Sequence, residues 1–276
     1  MHTPLCKHAV GLPAEYAAVA ARRGLRGITV TCHAPMPDRY STSVRMDPEQ
    51  FPAYLQMVAE AAELCAGSAE VLLGLESDYF PGVEPWLEEL HARAPFHYIL
   101  GSVHPQVGEY RRRYFSGDSF EYQKLYFEHL ALAAETGLYD SLGHPDLVKN
   151  MDPAAWKLPA ILPYIARSLD RIAETGIAME LNTSGVNKTI PEMNPGPEIL
   201  REIHARGIPV VIGADAHEPG RVADGYEAAL AQLQSVGFKT VSNFRERKRH
   251  EISIADALES LVPVKNERPT SQASSR

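Results

Sequence analysis

The sequence predicts an α/β barrel of parallel strands joined by crossover helices, and three observations carry that prediction. Short apolar, β-branched runs bounded by Gly or Pro alternate with longer amphipathic stretches along the chain, which is the grammar of βαβ units. Run after run ends in an ionisable residue: 28–31 leads to His33, 71–75 to Glu76, 98–103 to His104, 138–143 to His144, and 208–212 to Asp215 and His217. Ligands of α/β proteins gather at the carboxyl ends of strands, and ligands on many different strands favour a closed barrel over an open sheet. Finally, no Gly-rich phosphate loop follows the first run, which weakens a Rossmann or P-loop assignment.

Taken in order, residues 1–8 (Met-His-Thr-Pro-Leu-Cys-Lys-His) are unusually polar for the opening of a domain. An Ala-rich amphipathic helix is predicted over 13–23, with Gly24 as its stop. The strand ending at His33 is followed by a Pro-, Ser- and Asp-rich stretch, 34–48, long enough for a connector to be a candidate substrate loop. A helix over 48–65 leads to the strand ending at Glu76. Pro81-Gly82 makes a turn, and a short helix over 84–93 precedes the strand ending at His104. Residues 105–117 read as a loop that carries Arg111, Arg112 and Arg113 among Tyr110, Tyr114 and Phe115.

The next helix spans 118–136, with Gly137 after it. The strand ending at His144 runs into a loop through Pro153, and a helix over 158–175 is ended by Gly176. Residues 177–182 form a strand, 183–197 a Gly- and Pro-punctuated loop, and 198–206 a helix before the strand 208–212. A helix over 220–236, a last strand over 238–244 and a short helix over 253–261 complete the pattern. One domain over 1–264 is expected, with a Ser-, Thr- and Gln-rich tail at 265–276. Internal repeats are not evident.

Composition narrows the function. A chain of 276 residues, 45% hydrophobic and 22% charged, can bury a large core as a globular domain. A net charge of −8 argues against non-specific binding to nucleic acid or anionic membranes. It leaves room for an anionic small substrate where bound cations reverse the local field. Three cysteines, Cys6, Cys32 and Cys65, imply no disulfide framework and a reducing compartment. With no apolar stretch of membrane-spanning length and no basic-then-apolar opening, the cytoplasm is the expected location.

Histidine and carboxylate side chains at strand ends are ligands of the type that suits zinc, iron or manganese. His2, His8, His33, Glu76, His104, His144, Asp215 and His217 are too many for one tetrahedral ion, so two or three neighbouring divalent ions are the physical implication. A single His at a strand end is most often structural. Convergence of so many ionisable groups at one end of a barrel is not, because cores rarely tolerate it. Such ions activate water and clamp the attacking and leaving oxygens of a displacement at phosphorus. His91, His129, His204 and His250 fall on helices or in the basic C-terminal segment and read as solvated; His97 begins a strand and points to the opposite end.

The motifs His-Thr-Pro-Leu-Cys-Lys-His (2–8), Thr-Cys-His-Ala-Pro-Met-Pro (31–37), Gly-Leu-Glu (74–76), Gly-Ser-Val-His (101–104), Gly-His-Pro-Asp (143–146), Glu-Leu-Asn-Thr-Ser-Gly (180–185) and Gly-Ala-Asp-Ala-His (213–217) occur in this order. Together they resemble the histidinol-phosphatase branch of the PHP (polymerase and histidinol phosphatase) metallophosphoesterases. The resemblance implies a distorted (β/α)7, TIM-like barrel with a trinuclear centre of zinc, iron or manganese. It also implies hydrolysis of L-histidinol phosphate to L-histidinol and phosphate in histidine biosynthesis. On this resemblance His2 corresponds to the second His of an opening His-x-His motif, and the other seven residues to the remaining ligand positions, with Glu76 bridging.

Two departures stand out. The family opens with Asp-x-His-x-His at the end of a first strand; here Met1 occupies the x before His2, so the first strand is truncated. Either the start lies a few codons earlier or one metal ligand is lacking. Cys32 stands where the family carries Asp, which removes a carboxylate that would support the ligands. Both bear on metal affinity more than on fold.

Glu76, Asp215 and His217 are the expected catalytic side chains, with the proton donor to the leaving oxygen left open between Asp215 and a bound water. Lys188, Lys149 and Arg111 are the candidate phosphate-binding cations. The partner expected is thus a small phosphate monoester. Two other readings stay open: the same centre acting on a different small phosphoester, and a metal-poor relative that binds without turnover.

Overall fold

The computed structural model describes residues 1–262; the expected tail at 265–276 and domain end at 264 lie outside the described residues. Six strands, β1 (Gly27–Val30), β2 (Glu70–Asp78), β3 (Tyr98–Ser102), β4 (Ser141–Leu142), β5 (Ala178–Asn182) and β6 (Val210–Gly213), form one parallel sheet in sequence order. Ile28 lies opposite Val71, Glu76 opposite Leu100, and Glu180 opposite Val211. Parallel pairing requires crossovers, and helices supply them. α1 (Pro13–Arg22) precedes β1, and α2 (Phe51–Leu64), α3 (Glu84–His91), α4 (Gly108–Tyr114), α5 (Ser119–Glu135), α6 (Leu158–Thr175) and α7 (Pro197–Ala205) lie between strands.

Local chemistry explains the element ends. Asp118 caps α5 by accepting from the N–H groups of Phe120 and Glu121. α6 buries Ile161, Ile165, Leu169 and Ile172 along one face and ends at Gly176 in the left-handed region at φ 72°. In β3, Gly101 admits the Tyr139 ring, because a Cβ there would stand 2.6 Å from it. Every residue of β5 is buried, as expected of a strand covered on both faces.

The sheet curls into a partial barrel that is not closed between β1 and β6. At the carboxyl end of this seam the first residues bridge both sides: Thr31 N–H donates to the Met1 carbonyl (2.9 Å), and His2 N–H donates to the Ala216 carbonyl (3.0 Å). A cavity of about 940 Å³ extends from His2, Glu76 and Asp215 past Ile28, Leu72 and Val211 to Phe244.

Two features differ from the sequence reading. Residues 105–117 contain α4, a seven-residue helix whose one buried side chain, Tyr110, gives too little periodicity to recognise. The last strand, β7 (Thr240–Arg245), joins no parallel sheet and instead pairs antiparallel with β8 (Lys248–Ser253). β8 is Lys-Arg-His-Glu-Ile-Ser, too charged to read as a strand. The hairpin turn places Glu246 and Arg247 at positive φ (51° and 60°), which matches the strand twist without glycine. This hairpin sits at the amino ends of the parallel strands, where Phe244 packs with Tyr98, Ala178 and Val211. Arg247 donates to the Leu138 carbonyl and pairs with Asp140 at 2.6 Å. α8 (Tyr226–Val236) and α9 (Ile254–Ser260) flank it. No described helix is long and apolar enough to cross a membrane.

Candidate metal centre

All eight expected ligands belong to the opposite, carboxyl end. Glu76 lies within β2, while His104, His144 and Asp215 each stand two residues beyond β3, β4 and β6. His33 forms a parallel bridge with Glu76 just past β1. His2 and His8 come from the N-terminal segment, which is secured by Val10 N–H donating to the His217 carbonyl at 2.8 Å.

Glu76 is the hub. It is 3% exposed, and four imidazoles face its carboxylate. His2 Nε2 (3.4 Å) and His33 Nδ1 (3.2 Å) lie against Oε2. His104 Nε2 (3.4 Å) and His144 Nε2 (3.3 Å) lie against Oε1, which also accepts from Ser102 Oγ at 2.7 Å. Asp215 Oδ1 is 3.0 Å from His2 Nε2. The His217 ring stacks 4.0 Å from His2, and His8 lies 4.5 Å from His217. Thus the eight residues form one continuous cluster running from His8 to His144.

The electrostatics alternate. Burial lowers the His2 pKa, but the hydrogen bond and charge of Asp215, with Glu76, raise it to about 9. Burial likewise opposes charge on His104, yet Asp78 and Glu76 lift it to about 10. His33 is held well below the ordinary value chiefly by burial, which Glu76 opposes and the positive His2, His104 and Arg45 reinforce. His217 falls to about 4 by burial and the charge on His2. Burial raises Glu76 and Asp215, but the surrounding imidazoles win and hold both well below the carboxylate range. In the absence of cations, protons therefore balance the carboxylates, and any metal that binds must displace them.

The donor set fits metal ions. His217 Nε2 is buried with no hydrogen-bond partner. Groups of three nitrogen and oxygen donors (His2, His33 and His217; His33, Glu76 and His104) have ligand atoms within 4.8 Å of one another. Two further elements of the site are strained. His144 (φ 28°) and Asp215 (φ 47°) both occupy the left-handed region, a cost of about 1–3 kcal/mol each that concentrates at functional sites.

A PHP domain model matches residues 1–184 of this chain. A Deinococcus radiodurans protein named probable histidinol-phosphatase is 39% identical over 264 residues, covering 90% of this chain and 96% of that protein. The chain belongs to the PHP domain family. The histidinol-phosphatase of Bacillus subtilis is 25% identical over 267 residues, covering 83% of this chain and 96% of that protein. Among solved structures, the histidinol phosphate phosphatase of Lactococcus lactis, complexed with zinc, L-histidinol and phosphate, matches with a TM-score of 0.76. It covers 91% of this chain and 97% of that chain at 20% identity, which establishes the shared fold.

Within this PHP domain the three candidate phosphate cations are placed very differently. Lys149 is 0% exposed, and its ammonium donates to Asp146 (2.8 Å), Glu192 (2.9 Å) and the Met193 carbonyl (3.4 Å). The sequence reading is corrected here: all three donors are spent within the scaffold, so Lys149 presents no surface to a phosphate. Lys188 is exposed after the short 3-10 helix Thr183–Asn187. Arg111 is exposed on α4, its guanidinium 4.8 Å from the Phe115 ring centre.

Sequence reasoning missed three supports of the centre. Asp78, fully buried, accepts on one side from Arg45 at 2.8 Å and lies 3.1 Å from His104 Nδ1 on the other. Arg45, only 1% exposed, also donates to the Ala34 carbonyl at 2.9 Å, so the 34–48 loop is packed against the ligands. Glu180 accepts from His144 N–H (2.8 Å) and from Asn182 (3.0 Å). Asp78 lies two residues from Glu76, and Glu180 two from Asn182, so strand alternation puts each pair on one face. That spacing was the available signal. Arg45 offered none, because nothing in a loop sequence says which side chain turns inward.

Proposed function

We propose that this PHP domain is a phosphoric monoester hydrolase that converts L-histidinol phosphate to L-histidinol and phosphate in histidine biosynthesis, using two or three divalent ions of zinc, iron or manganese. The observation that carries the reading is Glu76: one buried carboxylate with two imidazoles against each oxygen is suited to bridging two cations. The names of the Deinococcus and Bacillus relatives, and the zinc, histidinol and phosphate in the Lactococcus structure, supply the substrate class.

His2, His8, His33, Glu76, His104, His144, Asp215 and His217 would hold the ions. When bound, these would activate water and neutralise charge developing at phosphorus. The chain's own part is to position them. Asp78 fixes the ring of His104, Glu180 fixes the backbone of His144, and Ser102 orients the Glu76 carboxylate. Asp215, beside His2 and accepting from Ser184 Oγ at 3.3 Å, would act in its ionised form as a ligand and proton acceptor, which leaves a bound water as the candidate proton donor to the leaving oxygen. Lys188 and Arg111 are the remaining candidates for the phosphate. The acidic net charge and small-molecule chemistry suit a cytoplasmic enzyme without nucleic-acid or membrane partners.

The test is phosphate release from L-histidinol phosphate with added Mn²⁺, run beside nucleotide and sugar phosphates. A second protein, carrying Asp-Tyr-His before Met1, is assayed in parallel. Preferential turnover of L-histidinol phosphate by either protein supports the reading, and rescue by the extension alone assigns a role to a further His beside His2. Turnover of only another ester, or of none by either protein, would overturn it.

A further inference from the structure

We propose that Cys6 and Cys32 are a buried thiol pair that closes reversibly to a disulfide and so controls the geometry of the metal centre. Both are 0% exposed, and their sulfurs lie with a His2 ring nitrogen in a group whose atoms are all within 4.8 Å of one another. Thr3 Oγ1 donates to Cys32 Sγ at 3.1 Å, which fixes that sulfur beside the N-terminal segment. Cys65, at the end of α2, belongs to no such group and serves as an internal control.

The two thiols differ in what they are attached to. Cys32 is anchored in the sheet, since Glu76 N–H donates to its carbonyl at 3.1 Å. Cys6 ends a three-residue 3-10 helix, Pro4–Cys6, followed by exposed Lys7 at φ 69° and exposed His8. Drawing the sulfurs to the ~2.05 Å of a disulfide therefore moves the Cys6 side. The Cys6 carbonyl pairs with His8 Nδ1 at 2.7 Å, and Cys6, His8 and His217 have ligand atoms within 4.8 Å of one another, so a shift of Cys6 alters the placement of His8 against His217. The oxidant is a small peroxide. It converts one thiol to a sulfenic acid with release of water, and the other thiol then attacks that sulfur, expelling a second water. A small dithiol reverses the step and is itself oxidised to its disulfide.

The full chain, loaded with Mn²⁺, is treated with hydrogen peroxide and digested without reduction. Mass spectrometry is expected to find the Cys6 and Cys32 peptides joined with loss of two hydrogens, and Cys65 still free to alkylate. Bound metal is expected to drop at least threefold and to return when dithiothreitol and Mn²⁺ are added. Cys6→Ser should retain its metal and lose both the crosslink and the peroxide response; if it does not fold, differential alkylation of the unmodified chain gives the same readout. Separate sulfinic acids without a joined peptide, a crosslink that leaves metal content unchanged, or an equal metal loss in Cys6→Ser would each overturn the proposal. These mass and metal readouts stand whether or not the chain hydrolyses L-histidinol phosphate.

Discussion

Glu76 sits among four imidazoles because strand β2 carries it inward while β1, β3 and β4 each deliver a His at nearly the same height. Replacing it by Gln keeps the shape and removes the charge. Glu76→Gln is expected to lower bound metal and phosphate release together, each by more than tenfold, measured by elemental analysis and phosphate assay on a folded protein. The Arg45–Asp78 pair acts differently, since both members are about 1% exposed. Arg45→Met leaves a buried carboxylate with less compensation, at a cost of about 3–5 kcal/mol read by urea unfolding. His129 extends the residue-scale account beyond the site. Expected on a solvated face, it is 3% exposed, with Nδ1 paired to the Tyr110 hydroxyl at 2.7 Å. Burial, with the charge on Arg113, lowers its pKa to about 4. An unfolded His titrates near ~6.5, so between 6.5 and 4 the unfolded chain takes up a proton that the folded one refuses. Its contribution is therefore full above pH 6.5 and falls as pH drops through this window, by on the order of 2 kcal/mol at pH 5. Urea midpoints at pH 7.5 and pH 5 should show a smaller decline in His129→Asn than in the unsubstituted chain.

At the scale of elements, what could be read in the sequence and what could not follow from the range of the forces involved. β1, β2, β3, β5 and β6 are apolar runs, and α5 and α6 have caps and stop signals, so local pattern sufficed to place them. Six of the candidate ligands, His33, Glu76, His104, His144, Asp215 and His217, were legible for the same reason, each closely following an apolar run, whereas His2 and His8 lie in the polar opening segment before any run. The β7–β8 hairpin was not, because its stability comes from where it docks. Arg247 reaches Asp140, and Phe244 reaches Tyr98, residues more than a hundred positions earlier in the chain. Lys149 failed as a phosphate ligand on similar grounds, since its partner Glu192 lies on a distant loop. If the hairpin is a plug for the amino end of the barrel, then Phe244→Ala should destabilise by about 3 kcal/mol in urea unfolding. Metal content should be unchanged, because the ligands stand at the other end of the strands.

The whole molecule divides its demands between two ends. The amino end is held by burial and the hairpin, whereas the carboxyl end gathers ionised carboxylates, two raised histidines and two residues at positive φ. Such an end opposes folding unless something binds the folded state in preference to the unfolded one. Protons on His2 and His104 provide part of that balance, and metal ions, by displacing them, provide more. An ion present at a hundred times its dissociation constant stabilises by about 2.7 kcal/mol, which for a domain of this size corresponds to about 5–10 °C in melting temperature. Thermal melts after EDTA treatment should fall by that amount and recover on addition of Mn²⁺ or Zn²⁺. In Glu76→Gln the melting temperature should respond much less to either treatment. A melting temperature that ignores EDTA in a protein shown by elemental analysis to start with metal would mean that the ions are not held by this cluster.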